Sequence, residues 1–126
     1  MIGKNDSIVR YCKKRWVEED GSISPAAFFL RENEVYLSVH HFEHFKNNQY
    51  QEIKDVMNFN YKDGDKFIKI NYSKAEKKIK DFLQLQIELK KLNASHCGIF
   101  NLTPKPNDEK AAPFFCDAID EIVDIP

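Results

Sequence analysis

Apolar and polar positions alternate most cleanly over residues 35–39, where Val35, Leu37 and Val39 are separated by Tyr36 and Ser38, and this period of two predicts a β-strand. Residues 66–72 (KFIKINY) follow the Asp63-Gly64-Asp65 turn signal and read as a second strand, rich in aromatic and β-branched side chains. Upstream, Ile8, Arg10, Cys12, Lys14 and Trp16 share one parity over residues 7–17, which reads as a strand with a short helix as the alternative. Glu18-Glu19-Asp20-Gly21-Ser22 is a turn by composition. Ser24 followed by Pro25 marks a helix start of a turn or two, with Ser24 as cap and Pro25 at the first helical position. Residues 40–45 (HHFEHF) either extend the strand at 35–39 or open a helix, and Tyr50, Ile53, Val56 and Met57 fall at helical spacing within 50–59.

Residues 73–92 support two patterns. Ser73 and Glu76 have the spacing of a capping box, and the Lys, Glu, Gln and Leu content favours one continuous helix. Yet Leu83, Leu85, Ile87 and Leu89 alternate with Gln84, Gln86 and Glu88, which is strand spacing. The preferred reading is a short helix followed by a strand over 83–89. A further strand is expected near 98–102, a loop over 103–110, and a closing helix over 111–123 with Phe114, Phe115, Ala118, Ile119, Ile122 and Val123 on its apolar side. The sum is a small α+β fold: four or five short mixed or antiparallel strands packed against two or three helices, with the C-terminal helix closing the core.

Composition fits one domain over residues 1–126. The chain is 42% hydrophobic with ten Phe, five Tyr and one Trp, so an aromatic-rich core is expected and disorder is not. The net charge of −1 supplies no basic field and argues against nucleic acid as partner. The charge is uneven, however. Lys4, Arg10, Lys13, Lys14 and Arg15 crowd the N-terminal stretch, while Asp108, Glu109, Asp117, Asp120, Glu121 and Asp124 crowd the tail. Cys12, Cys97 and Cys116 are odd in number and lie among apolar neighbours, which fits free thiols in a reducing compartment. The polar start MIGKNDS lacks signal-peptide features and no apolar run spans a bilayer, so a cytoplasmic location without membrane contact is expected.

Three groups of residues carry candidate chemistry. His40, His41 and His44 would pair on one face of a helix at metal-ligand spacing, with Glu43 between them and Cys12, His96 or Cys97 as a further ligand. On a strand only His40 and His44 share a face, and non-ligating histidines are the plainer reading. His96, between Ser95 and Cys97 and ahead of Gly98, suits a general base or a loop anchor, but adjacent strand residues point apart and make a His96–Cys97 dyad poor. Arg10 and Trp16 offer a guanidinium fork and a stacking face of the kind used for phosphates and nucleotides, against the plainer use in internal pairing and core filling. Lys77, Lys78 and Lys80 make a basic patch too small for a nucleic-acid surface. No Gly-rich phosphate loop, GxSxG, CxxC or EF-hand pattern occurs, and no cofactor is implied.

The pieces Ala26-Ala27-Phe28, Leu37-Ser38-Val39 and Ser95-His96-Cys97-Gly98-Ile99, with an arginine in the first strand, resemble a loose group of small prokaryotic proteins patterned "AAF…LSV…SHxGI". The resemblance covers most of the chain, from about Arg10 to Leu102, and its segments are short. It implies no assigned activity and no catalytic residue; it draws attention to Arg10, Ser38 and His96 and away from the histidine cluster. The lack of a catalytic signature leads to a first expectation of a non-catalytic accessory or regulatory subunit of a bacterial partner, of toxin–antitoxin or defence type. Phe114, Phe115 and Trp16 are its partner-binding candidates, with homo-oligomerisation left open. The second expectation is a small enzyme or nucleotide-binding domain with a cleft around Arg10, Ser38 and His96. The third is a metal-binding protein through His40, His41 and His44.

Overall fold

The computed structural model describes residues 2, 3 and 5–126; Lys4, counted above in the basic stretch, lies outside them. Six strands form one antiparallel sheet in the order β4-β5-β2-β1-β3-β6, and three α-helices pack on it. The strands are β1 (Ser7–Cys12), β2 (Leu37–His41), β3 (Lys66–Asn71), β4 (Glu88–Asn93), β5 (His96–Phe100) and β6 (Ile119–Asp124). The helices are α1 (Gln49–Met57), α2 (Tyr72–Leu83) and α3 (Asn107–Asp117), joined by 3-10 turns at Lys14–Trp16, Pro25–Phe28 and Phe42–His44. The α+β class is thus as expected, with more strands than the sequence pattern counted.

One sheet face carries Ile8, Cys12, Leu37, Val39, Ile68, Ile70, Cys97 and Ile99 against Ala75 and Ile79 of α2, Ala111, Ala112 and Phe115 of α3, and Ala27 and Phe28 of the Pro25–Phe28 turn. The opposite face is served by α1 alone, through Ile53 packed with Val9 and Phe67. Period-two alternation sends successive side chains to these two faces. Among the described residues, no helix packs on the β2–β5–β4 half of that second face. Tyr36, His96 and Phe100 lie half-buried there, and Ser38 is exposed.

Ser24 caps the Pro25–Phe28 turn, its hydroxyl accepting from the Ala26 amide at 3.2 Å. Four expectations change. The first strand stops at Cys12, and Lys14 and Trp16 belong to a 3-10 turn. α2 begins at Tyr72 with Asn71 as the cap, accepting from the Lys74 amide, while Glu76 takes the Tyr72 hydroxyl instead of closing a capping box. α2 ends at Leu83 because Gln84 turns left-handed (φ 55°). Residues 84–87 lie outside any strand, and only from Glu88 does β4 pair with β5. The alternating stripe nevertheless points Ile87 into the core, with Leu83, Leu85 and Leu89 against it. Last, the expected helix over 111–123 runs from Asn107 to Asp117 and gives way to β6, which pairs with the free edge of β3. The closing element is therefore an edge strand, and α3 precedes it.

Candidate functional site

The sheet has one irregular seam, between its two central strands. β1 pairs with β3 along its whole length, from Ser7↔Asn71 to Cys12↔Lys66, but with β2 only at Ile8↔His41 and Val9↔His40. Beyond Val9 the strands part. Arg10 fills the gap: its Nε donates to the Ala27 carbonyl at 2.7 Å and its Nη1 to the Ser38 carbonyl at 2.8 Å. The guanidinium thereby satisfies a β2 carbonyl that the interrupted ladder leaves without a β1 amide. Burial pushes Arg10 down to about 10, opposed by the nearby Glu34, so the group stays charged at neutral pH. Among the described residues, no carboxylate forms an ion pair with it.

Over this seam lies a cleft of about 380 Å³. Arg10, Lys13 and Arg31 bring positive charge to it and Glu34 the one carboxylate; Trp16, Tyr11, Met57 and Phe59 supply apolar wall, and Ser38 and His40 line the β2 side. Arg15 lies over the Trp16 ring at 4.9 Å, which adds to the cationic rim. Opposite, the Tyr11 hydroxyl donates to Asp65, which also accepts from the Lys14 amide at 2.9 Å and the Lys62 amide at 3.0 Å. Burial alone would raise the Asp65 carboxyl, but those three donors outweigh it and hold it below its usual range. This buried carboxylate pins the chain on both sides of the cleft wall.

Ser38 continues the site onto the open half-face. In the β2–β5 register Ser38 faces Gly98 and His40 faces His96, which makes Ser38 and His96 diagonal neighbours on the same face. Ser38 Oγ lies 2.7 Å from His96 Nε2. The His96 ring stacks on His40 with centroids 5.3 Å apart and has Tyr36 on its other flank at 6.2 Å. Gly98 is needed for that arrangement, since a Cβ there would come within 2.7 Å of the Tyr36 ring and 2.9 Å of Phe100. His40 is buried, with Nδ1 3.0 Å from the Ser95 hydroxyl. Burial, and then the neighbouring His96 and His44, push His40 down to about 4, so it is neutral near pH 7.

Ser38 therefore links Arg10 and His96, through its backbone carbonyl to the first and its hydroxyl to the second. The other candidates disperse. His40 and His41 are adjacent strand residues with opposite-facing side chains, and His44 sits exposed in the following 3-10 turn beside Phe45, so the three histidines do not converge as a helical metal site. His41 instead contacts Asp6 at 2.8 Å and Glu43 at 3.8 Å, a group with metal-ligand spacing whose members already bond one another and the Gly3 and Ser7 amides. Phe115 is fully buried and stacks on Phe28 at 5.4 Å, which gives it to the core and not to a partner surface. Phe114 is half-buried and stacks on the exposed Phe82 at 5.8 Å, while Trp16 is a cleft wall. Cys97 faces the core, away from His96, and burial raises its thiol; Cys12 and Cys116 are raised by burial to about 11. Tyr36, Arg31 and Phe59 are site residues that the sequence patterns did not single out, whereas Gly98 stood in the SHxGI piece and Lys13 in the basic stretch. Tyr36 alone had a usable signal, its shared parity with Ser38.

No helix is long and apolar enough to cross a membrane, among the described residues. Comparison with known proteins gives no match to a family model, to a curated protein or to a solved structure.

Proposed function

We propose that this domain binds a small anionic ligand carrying a flat ring, of the mononucleotide class, in the cleft between β1 and β2. The observation that supports this is Arg10: a guanidinium drawn into the centre of a sheet, held by two carbonyls, with no ion-paired carboxylate among the described residues. A charge withdrawn from water without a counter-ion is costly, and an anion seated on it offsets that cost. Lys13 and Arg31 reinforce the sign of the cleft, and Trp16 and Phe59 give a ring two aromatic neighbours. The volume suits a small molecule and not a polymer.

Trp16 is the one tryptophan of the chain, so its fluorescence reports the cleft directly. Titration with AMP is expected to give a saturable change that adenosine, lacking the phosphate, reproduces only at concentrations about 10-fold higher or more. Arg10→Gln removes charge-assisted bonds worth about 1.5–3 kcal/mol and should weaken AMP by about 10-fold or more. Arg31→Ala, on an exposed side chain, should weaken it by a smaller factor without touching the fold. A Trp16 signal that stays flat with AMP to about 10 mM would refute the reading.

The alternative of a non-catalytic accessory subunit keeps one supporting observation. Phe82 is 72% exposed and stacked on Phe114, an apolar pair that water covers at a cost unless another molecule does.

A further inference from the structure

We propose that Ser38 is a nucleophile with His96 as its base, beside the cationic cleft that Arg10 lines, and that the site cleaves carboxylic esters whose acid or alcohol part is anionic. The proposal extends the cleft reading: the nucleophile stands on its own geometry, and only the choice of ester rests on the anion seat.

Ser38 is an exposed hydroxyl on a central strand, beside a cationic cleft, and its Oγ lies 2.7 Å from His96 Nε2. With the hydroxyl donating, Nε2 is the acceptor and the imidazole proton sits on Nδ1, the tautomer a general base requires. A base must also be held still. Here the ring lies between His40 and Tyr36, and His40 is itself fixed by the buried Ser95 hydroxyl. His40 is neutral, so it presents no competing cation when His96 accepts a proton. Arg10 donates to the carbonyl of Ser38 itself through Nη1, and neither of its two hydrogen bonds uses Nη2. Arg10 and Ser38 line one cleft, so the cleft beside the hydroxyl carries positive charge. Ser95 and Cys97, the other nucleophilic side chains nearby, are both buried.

The chemistry balances without any further reagent than water. Ser38 Oγ attacks the ester carbonyl carbon, a C–Oγ bond forms, and the hydroxyl proton passes to His96 Nε2. The tetrahedral oxyanion collapses, the bond to the leaving alcohol oxygen breaks, and His96 returns its proton to that oxygen. Water then adds to the acyl carbon, giving a proton to His96, and Oγ departs with that proton as the acid leaves. Among the described residues, no carboxylate bonds the His96 ring, so the pair lacks the third member that speeds the familiar triads. Covalent capture is therefore a sounder readout than turnover.

Diisopropyl fluorophosphate, which phosphorylates activated serines and needs no anionic seat, is the probe. Incubated with the full chain and followed by intact mass and peptide mapping, it should give one adduct per chain, on the peptide bearing Ser38. Ser38→Ala should remove the adduct, and His96→Gln should slow labelling by about 100-fold or more. Wild-type protein left unlabelled at Ser38, labelling on another residue, or equal rates in His96→Gln would each overturn the proposal. The unlabelled wild type decides the matter even if a variant fails to fold. Labelling without AMP binding keeps the nucleophile and removes the anion seat; AMP binding without labelling does the reverse.

Discussion

Acidification should destabilise this protein through His40, well before its carboxylates matter. His40 is 7% exposed, bonded to Ser95 and stacked on His96, and its folded-state value is pushed from 6.5 to about 4, first by burial and then by its histidine neighbours. Unfolding returns the imidazole to water. Between pH 6.5 and pH 4 the unfolded chain therefore binds a proton at this residue that the folded chain does not, and stability falls as pH drops through that window. A shift of this size is at most about 3 kcal/mol, of which about 2 kcal/mol is lost between pH 7 and pH 5. Asp6, Asp65 and Asp108, all held below their usual 3.8, lose their contribution only below that range and do not overlap. Urea unfolding at pH 7 and pH 5 measures the difference directly. His40→Gln, which carries no titrating group, should shrink the pH 7 to pH 5 loss by about 2 kcal/mol relative to the parent chain. An unchanged loss in the variant would show that His40 is not the buried neutral group described here.

Asp108 is fully buried, accepting from the Leu30 amide at 2.8 Å and from Lys105 Nζ at 2.7 Å. Asp108→Ala leaves the Leu30 amide without its acceptor and should cost about 2–3 kcal/mol by urea titration; a loss below about 0.5 kcal/mol would show that this tie between α3 and the chain after Phe28 carries nothing. Phe82→Ser, by contrast, should change the unfolding free energy by less than about 0.5 kcal/mol, and a loss above about 1.5 kcal/mol would assign the Phe82–Phe114 stack to the fold and not to a partner.

Local chemistry was legible where it decided the outcome locally. Ser24 before Pro25 reads as a cap and is one; the segment 66–72 contains β3, and the stripe at 35–39 finds β2 two residues early, leaving Val35 exposed outside it. Where two periods fit the same residues, tertiary contacts chose. Ile119, Ile122 and Val123 sit at helical spacing, yet they are β-branched, and an unpaired β3 edge beside them offers hydrogen bonds that a helix extension would leave unused. The expected Ser73–Glu76 box gave way because Asn71, two residues earlier, already caps the helix. The site was legible in its residue types but not in its contacts. Ser38 and His96 meet only because β2 and β5 adopt one register across a sequence separation of 58; a shift by one residue would turn the two side chains to opposite faces. The lack of an ion-paired carboxylate for Arg10 among the described residues is likewise a three-dimensional fact, since Glu34 lies close enough to favour its charge but accepts from the Arg31 amide.

The seam between β1 and β2 is difficult to explain as a requirement of stability. A sheet's central strands are the ones best placed to pair fully, and each pair forgone leaves backbone groups that must find other partners. Position 10 lies on the same face as Ile8 and Cys12, both completely buried, so an aliphatic side chain there would have let the two strands close over the core. The chain instead places an arginine at this position and satisfies the carbonyls of Ser38 and Ala27 with its guanidinium. A lysine could not do the same, because the two carbonyls are met by two nitrogens of one rigid fork. The opening is thus bought with a desolvated charge, and what it provides is access. The cleft exists because the strands part, and Ser38 reaches solvent on the same stretch of β2 that lost its partner.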